Sequence, residues 1–212
     1  MSNTVNKDPI FTKSGVINTG KTVTTANTAK DGTGTVVTVF DPQRAAASLT
    51  SASTTATYTS NDPHNFINGE EILISGVTES GYNGIKTITV TGAKSFTYEV
   101  ASGLATPATG SPVADPINGC RISKVVFQPI GACTASAGRI FLNNGQTSAT
   151  AGNNTYLKDV TLPTVSAVSE VASMPAVEVT LDIVVPPFHK LNITLGTTVA
   201  TAYSVYAIAG SF

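Results

Sequence analysis

The residues whose spacing most resembles working chemistry are Gly15-Val16-Ile17-Asn18-Thr19-Gly20-Lys21-Thr22, which match the phosphate-binding loop pattern: two glycines framing four residues, then Lys and Thr. In such a loop backbone amides cradle phosphate oxygens, the lysine reaches the outer phosphates and the threonine hydroxyl holds magnesium. Val36 to Asp41 even imitates the apolar strand ending in Asp that would complete the magnesium site. The chemistry requires a helix beginning at the lysine, because the helix start supplies the amide donors. Thr22 to Ala29 instead reads Thr-Val-Thr-Thr-Ala-Asn-Thr-Ala, a poor helix former. No alternation of strands and helices surrounds it. The match is one of pattern alone, and no nucleotide or other cofactor is expected.

The remaining reactive residues are too few or wrongly spaced. His64 and His189 are the only histidines and lie far apart in the chain, next to Pro63 and Phe188, where packing or turn roles are expected rather than metal ligation. Glu70 and Glu71 are adjacent, so on a strand they face opposite ways and cannot act as a paired acid and base. Asp31-Gly32 lacks the repeated acidic ligands of a calcium loop. There is no Gly-x-Ser-x-Gly motif for a serine hydrolase. Asn153-Asn154-Thr155 and Asn192-Ile193-Thr194 fit the glycosylation pattern, which is irrelevant if the protein is made in a bacterium. Cys120 and Cys133 are the only cysteines and are expected as reduced, buried thiols. Catalytic, cofactor-binding and metal-ligating residues are all expected to be absent, and the chain is not expected to be an enzyme.

The elements that would position any site are strands. In Val177 to Val185, Val177, Val179, Leu181, Ile183 and Val185 alternate with Glu178, Thr180 and Asp182, the period of a half-buried strand. Pro186 and Pro187 stop it. Leu191, Ile193 and Leu195 then alternate with Lys190, Asn192 and Thr194, and Ala202 to Ala209 forms a closing strand. Earlier strands are expected at Thr35 to Phe40, Glu71 to Ser75, Ile85 to Thr91, Ser95 to Val100, Arg121 to Phe127, Arg139 to Leu142 and Tyr156 to Leu162. Turn residues such as Asn83-Gly84 and Asn144-Gly145 separate them. Only Ala167 to Ser173 reads as a short helical turn, and residues 1 to 14 read as an arm around Pro9, Ile10 and Phe11.

Of the 212 residues 41% are hydrophobic, enough for a core without disulfides or metal. Charged residues make up 12%, about half of the roughly 25% usual for a soluble domain, so Ser, Thr, Asn and Gly must provide most of the polar surface. Twelve basic residues against thirteen acidic ones leave a net charge of −1 with no basic cluster to neutralise phosphates, which excludes nucleic acid as an expected partner. The opening residues contain no apolar block of signal-peptide length and no span approaches twenty apolar residues, so neither secretion nor a membrane is expected.

Two small-residue stretches, Arg44 to Ser60 and Ala101 to Pro116, read as linkers around a compact β-rich unit. The implied architecture is all-β. Residues 1-44 and 115-212 form a discontinuous, jelly-roll-like β-sandwich, and 45-114 form an inserted small β-barrel module with flanking linkers. Without the insertion, Phe40-Asp41-Pro42 would turn into Ile117 to Ile122 as a hairpin. The inserted module, with five acidic residues (Asp62, Glu70, Glu71, Glu79, Glu99) and two basic ones (Lys86, Lys94), is the more acidic part.

Several stretches carry a family likeness. Thr25 to Ala29, Thr35 to Phe40, Asn118-Gly119-Cys120-Arg121-Ile122-Ser123-Lys124-Val125, Gly138 to Gly145 and Ala207 to Phe212 resemble small virion structural proteins of tailed bacteriophages. The inserted part is similar to a small β-barrel module of phage tail and capsid accessory proteins, akin to the half-domain beside the catalytic cysteine of ubiquitin-activating enzymes, without that chemistry. It carries the likeness in His64-Asn65-Phe66, Asn68-Gly69-Glu70, Ile74-Ser75-Gly76, Tyr82-Asn83-Gly84 and Ser95-Phe96-Thr97-Tyr98. The resemblance implies a non-enzymatic capsid decoration or cement protein in the virion, assembled in the bacterial cytoplasm. Its expected partners are further copies of itself, as a homo-oligomer and by role a trimer, and the major capsid protein or other virion proteins. The alternative is a tail or head-fibre adhesin for host-surface carbohydrate, with Tyr82, Tyr98, Tyr203 and Tyr206 as the aromatic candidates.

Overall fold

The computed structural model describes residues 16–17, 20–166 and 173–211. The expected arm at 1 to 14, most of the expected helical turn at 167 to 173, and Gly15, Asn18 and Thr19 of the phosphate-loop pattern lie outside the described residues. The protein is all-β, and every pairing between its strands is antiparallel. In chain order the strands are β1 (Val16–Ile17), β2 (Lys21–Val23), β3 (Val37–Phe40), β4 (Arg44–Ala52), β5 (Thr55–Ser60), β6 (Glu71–Val77), β7 (Gly84–Thr87) and β8 (Thr89–Gly92). They continue as β9 (Ser95–Glu99), β10 (Gly110–Pro116), β11 (Cys120–Pro129), β12 (Ser136–Asn143), β13 (Asn154–Leu162), β14 (Val177–Val185), β15 (Lys190–Leu195) and β16 (Tyr203–Ser211). The chain divides into two compact units, one made of the residues up to Asp41 and from Asn118 onward, the other Pro42–Ile117.

The first unit is a sandwich of two sheets. One has the order β1-β16-β11-β14, with β2 also on β16, and the other has the order β13-β12-β15-β3. Alternation explains what lies between them. Ile122, Val125 and Phe127 of β11, Val179 and Val185 of β14, and Tyr203, Val205 and Ala207 of β16 meet Ile140, Leu191, Ile193 and Leu195 from the other sheet in one core. Cys120 and Cys133 are buried in that core and are not joined in a disulfide. β3 and β11 fall in different sheets, so the chain crosses the sandwich at the insertion and does not form the expected hairpin. Partner choice of this kind depends on residues 177 to 211, far from either strand, and local turn signals carry no information about it.

β15 also departs from expectation. Its alternation predicts one wet face, yet Asn192 and Thr194 are buried along with the apolar set. The segment from Ala26 to Thr35 covers them. Asn27 donates its backbone N–H to Leu195 O at 2.7 Å, Arg139 donates to Asn27 O at 3.1 Å, and Gly32 packs against Phe141. Thr38 Oγ1 donates to Asn192 Oδ1 at 2.8 Å, satisfying that buried side-chain oxygen.

The inserted unit is a single seven-stranded sheet, β7-β6-β10-β4-β5-β9-β8, curled nearly shut into a barrel. Its two end strands are consecutive in sequence. The run expected as one strand, Ile85 to Thr91, changes partner at buried Ile88: Gly84 to Thr87 pair with β6, and Thr89 to Gly92 pair with β9. The linkers expected at Arg44 to Ser60 and Ala101 to Pro116 are corrected here. The first is the β4–β5 hairpin, and the second ends in β10, between β6 and β4. Small Ala, Ser and Thr residues resemble a linker in composition, but Leu49, Ala56, Tyr58 and Ala114 turn into the barrel core. That core centres on Phe96, which stacks on Tyr58 with centroids 4.8 Å apart and meets His64 and Phe66 edge-on.

One loop of this barrel is held by a carboxylate. Glu79 accepts hydrogen bonds from the Thr109 N–H and hydroxyl, both at 2.8 Å, and these hold its pKa below the usual glutamate value. A lowered folded-state pKa adds stability above the unfolded value of about 4.3, and that stability disappears as pH falls through the folded value. Denaturant titrations at pH 6 and in stronger acid should therefore show wild type losing stability relative to Glu79→Gln on acidification. Parallel pH profiles for the two proteins would refute the clamp.

Candidate functional site

The residues singled out for chemistry occupy structural positions. Lys21 begins β2, whose three residues pair with Tyr203 to Val205 of β16, so the position where a phosphate loop needs a helix start is a strand. His64 is buried: its Nδ1 accepts from Phe66 N–H and its Nε2 donates to Gly92 O, both at 3.0 Å. Those two bonds assign a neutral ring protonated at Nε2. His189 Nδ1 donates to Pro187 O at 2.9 Å within its own turn. Glu70 Oε2 accepts from Ile67 N–H at 2.8 Å, and Glu71 is an exposed residue opening β6. Asp31 accepts from the Thr33 hydroxyl and N–H, which hold its carboxyl below the usual range. The Cys133 thiol donates to Gly131 O at 3.4 Å, and burial pushes its pKa up.

The four tyrosines expected to present rings to a glycan do not form a platform. Tyr82 and Tyr203 are fully buried, with hydroxyls bonded to Ala105 O at 2.9 Å and Pro163 O at 3.4 Å respectively. Tyr98 is 4% exposed inside the barrel, and Tyr206 is half-buried on the opposite side of β16 from the core. Alternation turns Tyr98 of β9 and Tyr203 of β16 inward, and Tyr82 is buried from a 3-10 turn at Ser80–Tyr82.

Three surface features stand out among the described residues. The first is a groove of about 600 Å³ at the barrel seam, where Ile85 and Thr87 of β7 face Thr97 and Glu99 of β9, with Lys86 Nζ 5.7 Å from the Tyr98 ring centroid. The second is an apolar tip at the end of β14: Val184 is 63% exposed, and Phe188, in the turn behind it, is 38% exposed with φ +68°. A bulky residue at positive φ is a backbone outlier. The tip is braced from below, because Gly145, itself at φ +87°, has no room for a Cβ beside Phe188 O.

The third is a recess of about 260 Å³ lined by Lys30, Ala137, Arg139, Tyr156 and Asp159. A β-bulge builds it. Ile140 pairs with Lys158 but Phe141 pairs with Tyr156, so Leu157 is an extra residue in β13. Positions 156 and 159, three apart, would otherwise face opposite ways; the bulge puts both on the face that carries Arg139 and Phe141. Tyr156 stands edge-on to Phe141 with centroids 5.4 Å apart and remains 46% exposed. Desolvation and, next, the Asp159 carboxylate push the Tyr156 pKa up, against Arg139. None of these four polar residues was singled out for chemistry by sequence pattern; the traces were the expected strands Arg139 to Leu142 and Tyr156 to Leu162, and the bulge in the second is invisible locally. Comparison with known proteins returns no matching family model, curated protein or solved structure.

Proposed function

We propose that this chain is a non-enzymatic structural protein of a tailed-phage particle, a capsid decoration or cement protein that self-associates and binds the capsid lattice. The observation that supports this reading best is the apolar tip of Val184 and Phe188. Backbone strain at an exposed bulky residue is retained where the residue serves something outside the unit, and a neighbouring subunit that covers the ring is the partner such a knob fits. The low charge density and the virion-like motifs at Asn118 to Val125 and Gly138 to Gly145 support it further. By role, a threefold-symmetric trimer would match threefold or quasi-threefold lattice sites.

The test separates contact from stability. Phe188→Gly removes the exposed ring and relieves the left-handed strain, so it should leave the fold intact or stabilise it by about 1 kcal/mol. It should also weaken self-association in light scattering and reduce occupancy in electron cryomicroscopy of particles carrying the protein. A wild-type chain that stays monomeric up to roughly 0.1 mM and is missing from particles would refute the reading, because association weaker than about 5.5 kcal/mol cannot hold a lattice partner. The adhesin alternative no longer has its four tyrosines as a platform; a different residue, Tyr156, offers the exposed ring.

A further inference from the structure

We propose that the recess between β12, β13 and the segment at Lys30 binds one acidic sugar unit, of the hexuronate or sialate class. The inference is independent of the decoration reading: it concerns what the sandwich unit binds, whether or not that unit sits on a capsid.

Three features of the recess converge on this ligand. Its charged residues are Lys30, Arg139 and Asp159, a net charge of +1, and among the described residues none of the three is in an ion pair. A carboxylate is the group that two unpaired cations recognise best, and a guanidinium can meet it with two parallel N–H donors. Asp159 accepts only, so it suits a ligand that also presents hydroxyl donors, which a simple carboxylate ion does not. Tyr156 supplies the third element: nearly half-exposed and steadied edge-on by Phe141, its ring can take the C–H-bearing face of a pyranose against its electron-rich face.

The recess is also pre-organised. Arg139 is anchored through its Nη1 to Asn27 O, and Asn27 in turn holds the loop that carries Lys30 through bonds to Thr33 O, Thr35 O and Ala29 N–H. A donor fixed before binding loses little entropy on binding. At about 260 Å³ the recess is below the size of sites for drug-like molecules, which fits a single ring of a longer glycan.

The full chain is titrated by ligand-observed NMR with glucuronate, N-acetylneuraminate, glucose and acetate. Saturable binding of at least one acidic sugar is expected, with a dissociation constant on the order of 1 mM. Glucose and acetate should each bind about tenfold more weakly, the first lacking the carboxylate and the second the ring. Tyr156→Ala should abolish the acidic-sugar signal and Tyr156→Phe should keep most of it, with both variants checked for wild-type melting temperatures. Lys30→Ala should weaken acidic sugars and leave glucose unchanged. Acetate binding as well as the sugars would overturn the proposal in favour of a bare anion site. Equal glucose and glucuronate binding, retention in Tyr156→Ala, or no signal from either acidic sugar would overturn it as well. None of these outcomes bears on association through Phe188, which light scattering reads separately.

Discussion

Replacing Phe96 with alanine should destabilise the inserted barrel by about 4 kcal/mol, the largest effect of any single substitution argued for this protein. Phe96 is fully buried, stacks on Tyr58 at 4.8 Å with rings 9° from parallel, and meets His64, Phe66 and Tyr98 within 6.3 Å. Its removal leaves a cavity among four rings, two of which are held by hydrogen bonds of their own. His64 is pinned by Gly92 O and Phe66 N–H, and the Tyr58 hydroxyl donates to Arg44 O at 2.5 Å, so the gap cannot close cheaply. Phe96→Leu, which keeps most of the volume and loses the ring contacts, should cost about 1 to 2 kcal/mol. Hydrogen exchange gives the readout. In Phe96→Ala, protection should fall in β5 and β9 and persist in β11 and β16, because every ring that Phe96 touches belongs to Pro42–Ile117. A uniform loss across both cores would show that they unfold as one body and would sink the two-core account.

The second large effect is expected at Asn27, which is 4% exposed. Its side chain donates to Thr33 O at 2.6 Å and Thr35 O at 2.9 Å and accepts from Ala29 N–H at 2.9 Å, acting as the internal scaffold of the loop that covers β15. Alanine would strand two carbonyls and one N–H, at a net cost of about 2 to 4 kcal/mol because the loop can open partly to water. Aspartate should be worse than alanine near neutral pH. It keeps the acceptor for Ala29 but turns an anionic oxygen toward two carbonyl oxygens in a buried place. Thermal melts and exchange rates at residues 27 to 35 test the order: wild type, then Asn27→Ala, then Asn27→Asp. If Asn27→Asp matched wild type, the side-chain amide would not be what organises this loop. The adjacent turn uses the same geometry, since Gly34 at φ +75° lies where a Cβ would come 3.0 Å from Asn27 Oδ1.

Much of the strand inventory could be read directly from period-two alternation. Val177 to Val185 is a strand over that same span, with Glu178, Thr180 and Asp182 exposed, because the direction of a side chain on a strand follows from its own position in the chain. The all-β class and the sandwich with its barrel module follow from the same local periodicity and the turn residues between runs. What tertiary structure alone decided is everything that depends on a partner remote in sequence. Whether β3 and β11 share a sheet, whether the outer face of β15 is wet or covered, and whether an Ala/Ser/Thr run is a linker or a paired strand are settled by which segment arrives alongside. The recess is the clearest case. One extra residue at Leu157 reverses the facing of Asp159 relative to Tyr156, and Asn27 brings a loop more than a hundred residues away to Arg139. Local pattern cannot report such a site, because a bulge leaves composition and hydrophobicity unchanged while it inverts which side of the sheet every later side chain occupies.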